Sequence, residues 1–318
     1  MIENVKKYIK EHSLLSKGQK VLLTVSGGKD SVCMAYVFAL LDIEFCIAHC
    51  NFKLRGAESD ADHKFVQELA KKLKVPFFSE VFDTSTYASE HKISIQMAAR
   101  DLRYDWFDEL SVKHDMSVIA TAHHQDDNIE TLLIKKSRKS SLEGLRGILP
   151  KNGKVIRPFL GCSAEEIVVF IVDNGIQYRE DSSNKSVDYE RNKLRLHTIP
   201  QMNKKDAEFR KNALKEISDN VLKYQQLQKQ VNDIASTSLQ RNENGFLLKL
   251  DKIQALKNKK DILYELFKAY GPFNWIDLFQ LLTAINGKTI FNANHRIIKE
   301  RDGLVLTNNK KNAWQEVF

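Results

Sequence analysis

Val21-Leu22-Leu23-Thr24-Val25-Ser26-Gly27-Gly28-Lys29-Asp30-Ser31-Val32-Cys33-Met34-Ala35-Tyr36-Val37 decides the fold. A short apolar run is followed by two glycines and then by a second apolar segment, which reads as strand, tight turn and helix. Adjacent glycines let the backbone turn sharply and leave several N–H groups aimed at one spot where a helix begins. That spot suits phosphate, because unpaired N–H groups and the helix dipole both favour an anion. Ser26, Lys29 and Ser31 add side-chain donors. The spacing is neither that of a Walker A loop nor that of G-x-G-x-x-G.

Working outward, short apolar runs alternate with helical patterns through the first half. Strands are expected at 21–25, 44–50, 77–82, 118–122 and 155–159, and helices over 31–41, 59–74, 94–113, 126–136 and 163–174. Such β-α alternation predicts an α/β fold, a doubly wound parallel sheet covered on both faces. Ligands in such folds sit at the carboxyl ends of the strands. Three polar segments follow strands directly: the Ser-Gly-Gly loop, Asn51 to Glu58, and His123-His124-Gln125-Asp126-Asp127. They are expected to converge on one edge. From about Asp188 the chain becomes polar and helical, with a break expected at Pro200. Two more helices are expected within 251–285, and short strands at Ile290-Phe291, Arg296–Lys299 and Leu304–Leu306, with a hairpin at Asp302-Gly303. The expected organisation is a catalytic domain over 1–200, a helical linker over 201–240 and a smaller, mainly helical domain with a short C-terminal hairpin over 241–318.

At 318 residues and 42 % apolar composition, the chain can form two or three domains with normal cores. No apolar run approaches membrane-span length, so no membrane partner is expected. Met1 to Lys20 reads as a short amphipathic helix with Ile2, Val5 and Ile9 on one side. It lacks the apolar core and cleavage site of a signal peptide, and a cytoplasmic protein is expected. Cys33, Cys46, Cys50 and Cys162 include no C-x-x-C pair, which points to a reduced protein without structural zinc. The net charge of +8 favours a polyanionic partner, the more so because cations cluster at Lys135-Lys136-Ser137-Arg138-Lys139, at Arg191, Lys193 and Arg195, and at Lys204-Lys205 and Arg210-Lys211.

Asp126-Asp127-Asn128-Ile129-Glu130-Thr131 opens a helix, with Asp127 and Glu130 on one face. Acids in a first turn also simply suit the helix dipole. Beside two histidines at a strand end, they can instead hold Mg²⁺ near phosphates, bind a substrate ammonium group, or accept its proton. Arg100 and Arg103 lie one helical turn apart, and their guanidinium forks suit phosphate or a developing anion. Lys53 and Arg55, with Phe52 for stacking, suit nucleic acid, although chance charges in a βα loop read the same way.

The Ser-Gly-Gly-Lys-Asp-Ser segment resembles the pyrophosphate loop (PP-loop) of the N-type ATP pyrophosphatases, whose fold is adenine nucleotide alpha hydrolase-like. Further segments resemble one family within it, the tRNA(Ile)-lysidine synthases. They are Leu54-Arg55-Gly56 with Glu58-Ser59-Asp60-Ala61-Asp62, Ala98-Ala99-Arg100 with Arg103-Tyr104, Thr121-Ala122-His123-His124 with Asp126-Asp127 and Glu130-Thr131, Gly144-Leu145 with Gly147-Ile148, Arg157-Pro158, Glu180 to Asn184, and Arg191-Asn192. The resemblance implies adenylation by ATP of the C2 oxygen of the wobble cytidine in a tRNA(Ile) with a CAU anticodon. Free L-lysine then displaces AMP, giving lysidine. It implies that Ser26, Gly27, Gly28, Lys29, Asp30 and Ser31 bind ATP, with Asp30 near Mg²⁺. It implies lysine binding by His123, Asp127 and Glu130, and catalytic roles for Asp30, Arg100, Arg103, Asp127 and Arg191. Lys53, Arg55, Arg138 and Arg195 are the expected tRNA contacts, together with the region 241–318. A homodimer is left open.

Two features depart from the family pattern. Arg138-Lys139-Ser140-Ser141 stands where Arg-Gly-Thr-Gly is usual, and the chain stops at Phe318, where many members continue into a domain that grips the acceptor stem. A short form and a truncated piece are both expected alternatives. The rival readings are a PP-loop tRNA thiolase, a small-molecule amidating ligase of the same superfamily, and a non-catalytic RNA-binding protein.

Overall fold

A computed structural model describes residues 1–180, 190–242 and 245–309. By its internal contacts the chain forms two compact units, Met1–Lys139 with Arg146–Ile217, and Ser140–Leu145 with Ser218–Phe318.

The first unit is built on a six-stranded sheet. Helix α1 (Ile2–Glu11) precedes β1 (Val21–Thr24), which is followed by α2 (Lys29–Leu40), β2 (Phe45–Asn51), α3 (Ala57–Leu73), β3 (Phe77–Val81), α4 (Thr84–His91), α5 (Ile95–Lys113), β4 (Val118–Ala120) and α6 (Gln125–Ser137). Strands β5 (Lys151–Asn152) and β6 (Val155–Ile156) and helix α7 (Ala164–Asp173) follow. The strand order is β3-β2-β1-β4-β6-β5, parallel throughout except that β5 returns antiparallel on β6. Alternation along each strand sends residues to opposite faces. Val21, Leu23 and Ile47 pack with Val32, Val66 and Ile167 from α2, α3 and α7, whereas Leu22, Cys46 and Ile119 pack with Phe107 and Leu110 of α5. The doubly wound sheet expected from the sequence is therefore present, with element ends within a few residues of their expected places.

Three differences have local causes. The expected strand at 155–159 stops at Ile156, because Pro158 opens a 3-10 turn over Pro158–Gly161. The short helix α4 was not foreseen, since Thr84–His91 carries little apolar pattern; the Asp83 side chain caps it by accepting from Thr86 N–H at 3.1 Å. Pro200 does not break the helical region. It lies in the first turn of a helix, where the missing N–H costs nothing. That region comprises α8 (Glu190–Lys193), one π-helical turn over Leu194–Thr198, α9 (Ile199–Lys205) and the long α10 (Phe209–Ser238). The division between the two units falls within α10.

The second unit contains more sheet than the short hairpin expected. Strands β7 (Leu239–Asn242), β8 (Gly245–Lys249), β9 (Thr289–Phe291), β10 (His295–Lys299) and β11 (Gly303–Asn308) form an antiparallel sheet in the order β7-β8-β11-β10-β9. The pattern that marks β8 is only five residues long, with Phe246 and Leu248 buried and their neighbours less so. Helices α11 (Asp251–Gln254), α12 (Lys259–Phe267) and α13 (Trp275–Gln280) lie between β8 and β9. The core joins Tyr224, Leu227, Val231 and Ile234, at helical spacing on α10, to Phe246, Ile262 and Leu306. Leu142 packs against this core and Glu143 accepts from Lys268 Nζ at 2.8 Å, which explains why residues 140–145 join this unit.

Gly147 is held at φ +68°, and a Cβ there would press on Asn128 Oδ1, which accepts the Ile148 N–H at 2.7 Å. Gly147→Ala is expected to lower stability by about 2–4 kcal/mol, combining left-handed strain with loss of the half-buried Ile148–Asn128 hydrogen bond. Denaturant unfolding at constant slope measures it.

Candidate active site

The turn after β1 is closed by its own serines. Ser31 Oγ donates to the Gly28 carbonyl at 3.0 Å and accepts the Ser26 N–H at 3.2 Å. Ser26 Oγ lies 3.2 Å from Ser31 Oγ and accepts the Gly28 N–H at 3.3 Å. Gly27 sits at φ +97°, a conformation that favours glycine, and its carbonyl accepts the Arg179 N–H at 2.9 Å. Gly28 is the N-cap of α2 and brings no capping side chain to the first-turn N–H groups. The result is a turn closed by its own hydrogen bonds at a helix N-terminus, a geometry that suits an anion.

A cavity of about 620 Å³ opens over this turn at the carboxyl ends of β1, β2 and β4. That size suits a nucleotide-sized ligand. Ser26, Gly28, Lys29, Asp30 and Ser31 line one part; Phe52, Arg103, His123, Asp127, Arg179 and Arg195 line others. The three polar segments therefore do meet on one edge.

The acids at the start of α6 divide by partner. Asp127 Oδ2 accepts the His124 N–H at 3.0 Å, so it caps the helix as the dipole argument expects. Its Oδ1 accepts from Arg195 Nη2 at 2.9 Å. Glu130, with no side-chain exposure, accepts from Arg195 Nε at 2.7 Å and Nη2 at 3.1 Å. Asp126 faces away from this pair, accepting the Ala164 N–H at 3.0 Å and lying 2.6 Å from Arg210 Nη2. Burial favours the neutral form of Asp126, but His124, the Ala164 N–H and Arg210 outweigh it and hold its pKa well below the carboxylate range.

Buried His124 stands among three carboxylates, 3.6 Å from Asp126 and from Asp127 and 3.8 Å from Asp30. Burial opposes its charge, yet these carboxylates raise its pKa above the ordinary value. Burial likewise raises the pKa of Asp30, against the opposing charges of His124 and Lys29.

Comparison with known proteins gives this arrangement its place. Residues 1–202 match the PP-loop domain family model, and residues 240–310 match the TilS substrate binding domain. The chain is 37 % identical to the tRNA(Ile)-lysidine synthase of Parabacteroides distasonis, over 98 % of this chain and 71 % of that one. It is 35 % identical to the enzyme of that name from Bacteroides thetaiotaomicron, over 96 % of this chain and 71 % of the relative. The chain belongs to the tRNA(Ile)-lysidine synthase family. Its fold also resembles a U34-tRNA thiolase from Methanococcus maripaludis, with a TM-score of 0.56 at 16 % identity, covering 68 % of this chain and 77 % of that one.

Set in a lysidine synthase, the residues singled out from sequence separate. Arg103 lines the cavity with its guanidinium 5.1 Å from the Phe52 ring centroid, whereas Arg100 lies over Tyr104 and does not line it. His123 lines the cavity, with Nδ1 2.9 Å from Thr121 Oγ1. Lys53 is tied to Asp60 at 3.1 Å and Arg55 to Asp62 at 2.8 Å, so both hold their loop to α3. Arg138 is the exposed C-cap residue of α6. Arg195, an expected tRNA contact, is 43 % exposed and its guanidinium lies on Asp127 and Glu130, whose carboxylates stand one helical turn apart. The Arg191 side chain and Asp181 to Asn184 lie outside the described residues.

Arg179, whose Nε donates to Asp62 Oδ1 at 2.9 Å, lies in no motif, and Arg210, legible only as part of a basic cluster, pairs with Asp126. His124, one of the two histidines that end the segment after β4, is buried among three acids and is the centre of the group.

Asp126→Asn should cost about 2–3 kcal/mol at pH 7 through lost charge-assisted hydrogen bonds. The folded pKa is depressed, so the contribution is full above the ordinary value of 3.8 and is lost as pH falls through the folded pKa. Thermal melts should show the gap from wild type narrowing below about pH 4.

Proposed function

We propose that the protein uses ATP to adenylate the C2 oxygen of the wobble cytidine in tRNA(Ile) with a CAU anticodon, and that free L-lysine then displaces AMP to give lysidine. The observation that carries this reading is a cation held on Asp127 and Glu130 in the same cavity as the pyrophosphate turn. One site thus offers an anion-binding end for ATP and an acidic end for an ammonium group.

The turn N–H groups, Ser26, Lys29 and Ser31 bind the phosphates and orient the α-phosphorus toward the base. Arg103, held over Phe52, stabilises negative charge as the phosphorus–oxygen bond to pyrophosphate breaks. Asp127 takes a proton from the lysine ε-ammonium, so that the neutral nitrogen can attack C2 while the C2–O bond to AMP breaks. Asp30 fits Mg²⁺: its Oδ1 is buried and has no hydrogen-bond partner among the described residues. One carboxylate plus substrate phosphates is an ordinary Mg²⁺ environment, and the ion would offset phosphate charge. Lys53, Arg55, Arg138 and Arg195 remain the proposed contacts to tRNA, Arg100 and Arg191 the proposed contacts to the reacting centre, and the second unit is the proposed tRNA-contacting body.

A thiolase reading needs a reactive sulfur. Cys50 lines the cavity, and burial pushes its thiol up to about 12, which keeps it protonated and unreactive at neutral pH.

The test is incorporation of radiolabelled lysine into an isoleucine tRNA transcript in the presence of ATP and Mg²⁺. Label should appear in the CAU transcript and be absent with a wobble-base mutant. Asp127→Ala should reduce incorporation at least about a hundredfold. Pyrophosphate release without lysine incorporation would keep the adenylating scaffold and reject lysine as the nucleophile.

A further inference from the structure

Arg179 sits against the pyrophosphate turn without belonging to it. Its N–H donates to the Gly27 carbonyl at 2.9 Å, and an added Cβ at Gly27 would lie 3.7 Å from Arg179 Cγ, so the side chain starts beside the turn. The guanidinium is anchored at one point. Nε donates to Asp62 Oδ1 at 2.9 Å, and Asp62, 10 % exposed, is braced at its other oxygen by Arg55 Nη2 at 2.8 Å. Arg179 lines the cavity with its side chain 40 % exposed, and its Nη groups have no acceptor among the described residues. A guanidinium is a rigid planar fork. Fixing Nε on a nearly buried carboxylate therefore fixes where the Nη groups point. Their N–H donors are left uncommitted beside a turn that suits an anion.

We propose that Arg179 is a further phosphate-binding residue, whose Nη groups hold the terminal phosphates of the nucleotide against the pyrophosphate turn. This rests on the ATP use proposed above, in which the α-phosphorus is directed toward the base and the other two phosphates stay at the turn. Backbone N–H groups and Lys29 meet an anion at single points, whereas a guanidinium grips two phosphate oxygens at once. The β- and γ-phosphates leave together, so a residue that holds them also counters the charge that develops on the leaving group. The split role needs arginine, because a lysine at this position would offer one head group, which Asp62 would claim. The hydrogen bond to Gly27 comes from the Arg179 backbone and survives a change of side chain. The support given to the turn and the grip on the ligand are therefore separable by substitution.

Calorimetric titration of the full chain with inorganic pyrophosphate, ATP and AMP, each with Mg²⁺ and without tRNA or lysine, tests this. Arg179→Met and Arg179→Gln should each bind pyrophosphate and ATP at least about tenfold more weakly than wild type. AMP lacks the phosphates in question, and its binding should weaken less than about threefold. The Gln variant offers Asp62 a replacement donor should the Met variant fail to fold, and thermal melts screen both. Unchanged pyrophosphate and ATP binding in a folded variant would overturn the proposal and leave Arg179 a brace for Asp62, with ATP use untouched. An equal loss for AMP and ATP would also overturn it, since a distorted turn weakens every ligand alike. A wild-type chain that bound neither pyrophosphate nor ATP would overturn it together with the reading of the turn.

Discussion

A strand that is paired on both sides and covered on both faces meets solvent only at its ends, and β1 is such a strand. It pairs in parallel with β2 and β4, and Val21, Leu22 and Leu23 are fully buried. Parallel pairing sends the loops that leave β1, β2 and β4 to the same edge, whatever their sequences. The pyrophosphate turn, the Phe52 loop and the start of α6 meet because of that constraint, and each then adds its own chemistry.

Charge balance decides how the edge is populated. The buried or nearly buried acids at this edge are answered by arginines: Asp62 by Arg55 and, from far along the chain, Arg179, Asp126 by Arg210, and Asp127 with Glu130 by Arg195. Asp30 differs, for its Oδ1 has no such partner among the described residues. A low-dielectric pocket makes an unmatched carboxylate costly, so the arginines fix the loops to the helices they meet. His124 links these groups by touching Asp30, Asp126 and Asp127 at once.

Much of this was legible in the chain. Glycines at 27 and 28, flanked by apolar runs, report a strand-turn-helix because backbone freedom and burial are local properties. The alternation of apolar segments reported the parallel sheet, and the acids at 126, 127 and 130 reported a helix start. The second sheet was less visible: Gly245–Lys249 is five residues long, and what defines it as a strand is pairing to Gly303–Asn308, far along the chain. Helix α4 rests on an Asp83 cap rather than on an apolar stripe.

The sequence by itself determined the PP-loop fold, the strand-turn-helix around Gly27 and Gly28 and the family, since each depends on residues close together in the chain or on their order. Only the tertiary structure decided which acids face the cavity, that Arg103 rather than Arg100 lines it, and that Arg195 lies on Asp127 and Glu130. Side-chain pairing across 65 or 68 positions is set by packing and by the need to neutralise buried charge, and neither leaves a periodic mark on the sequence.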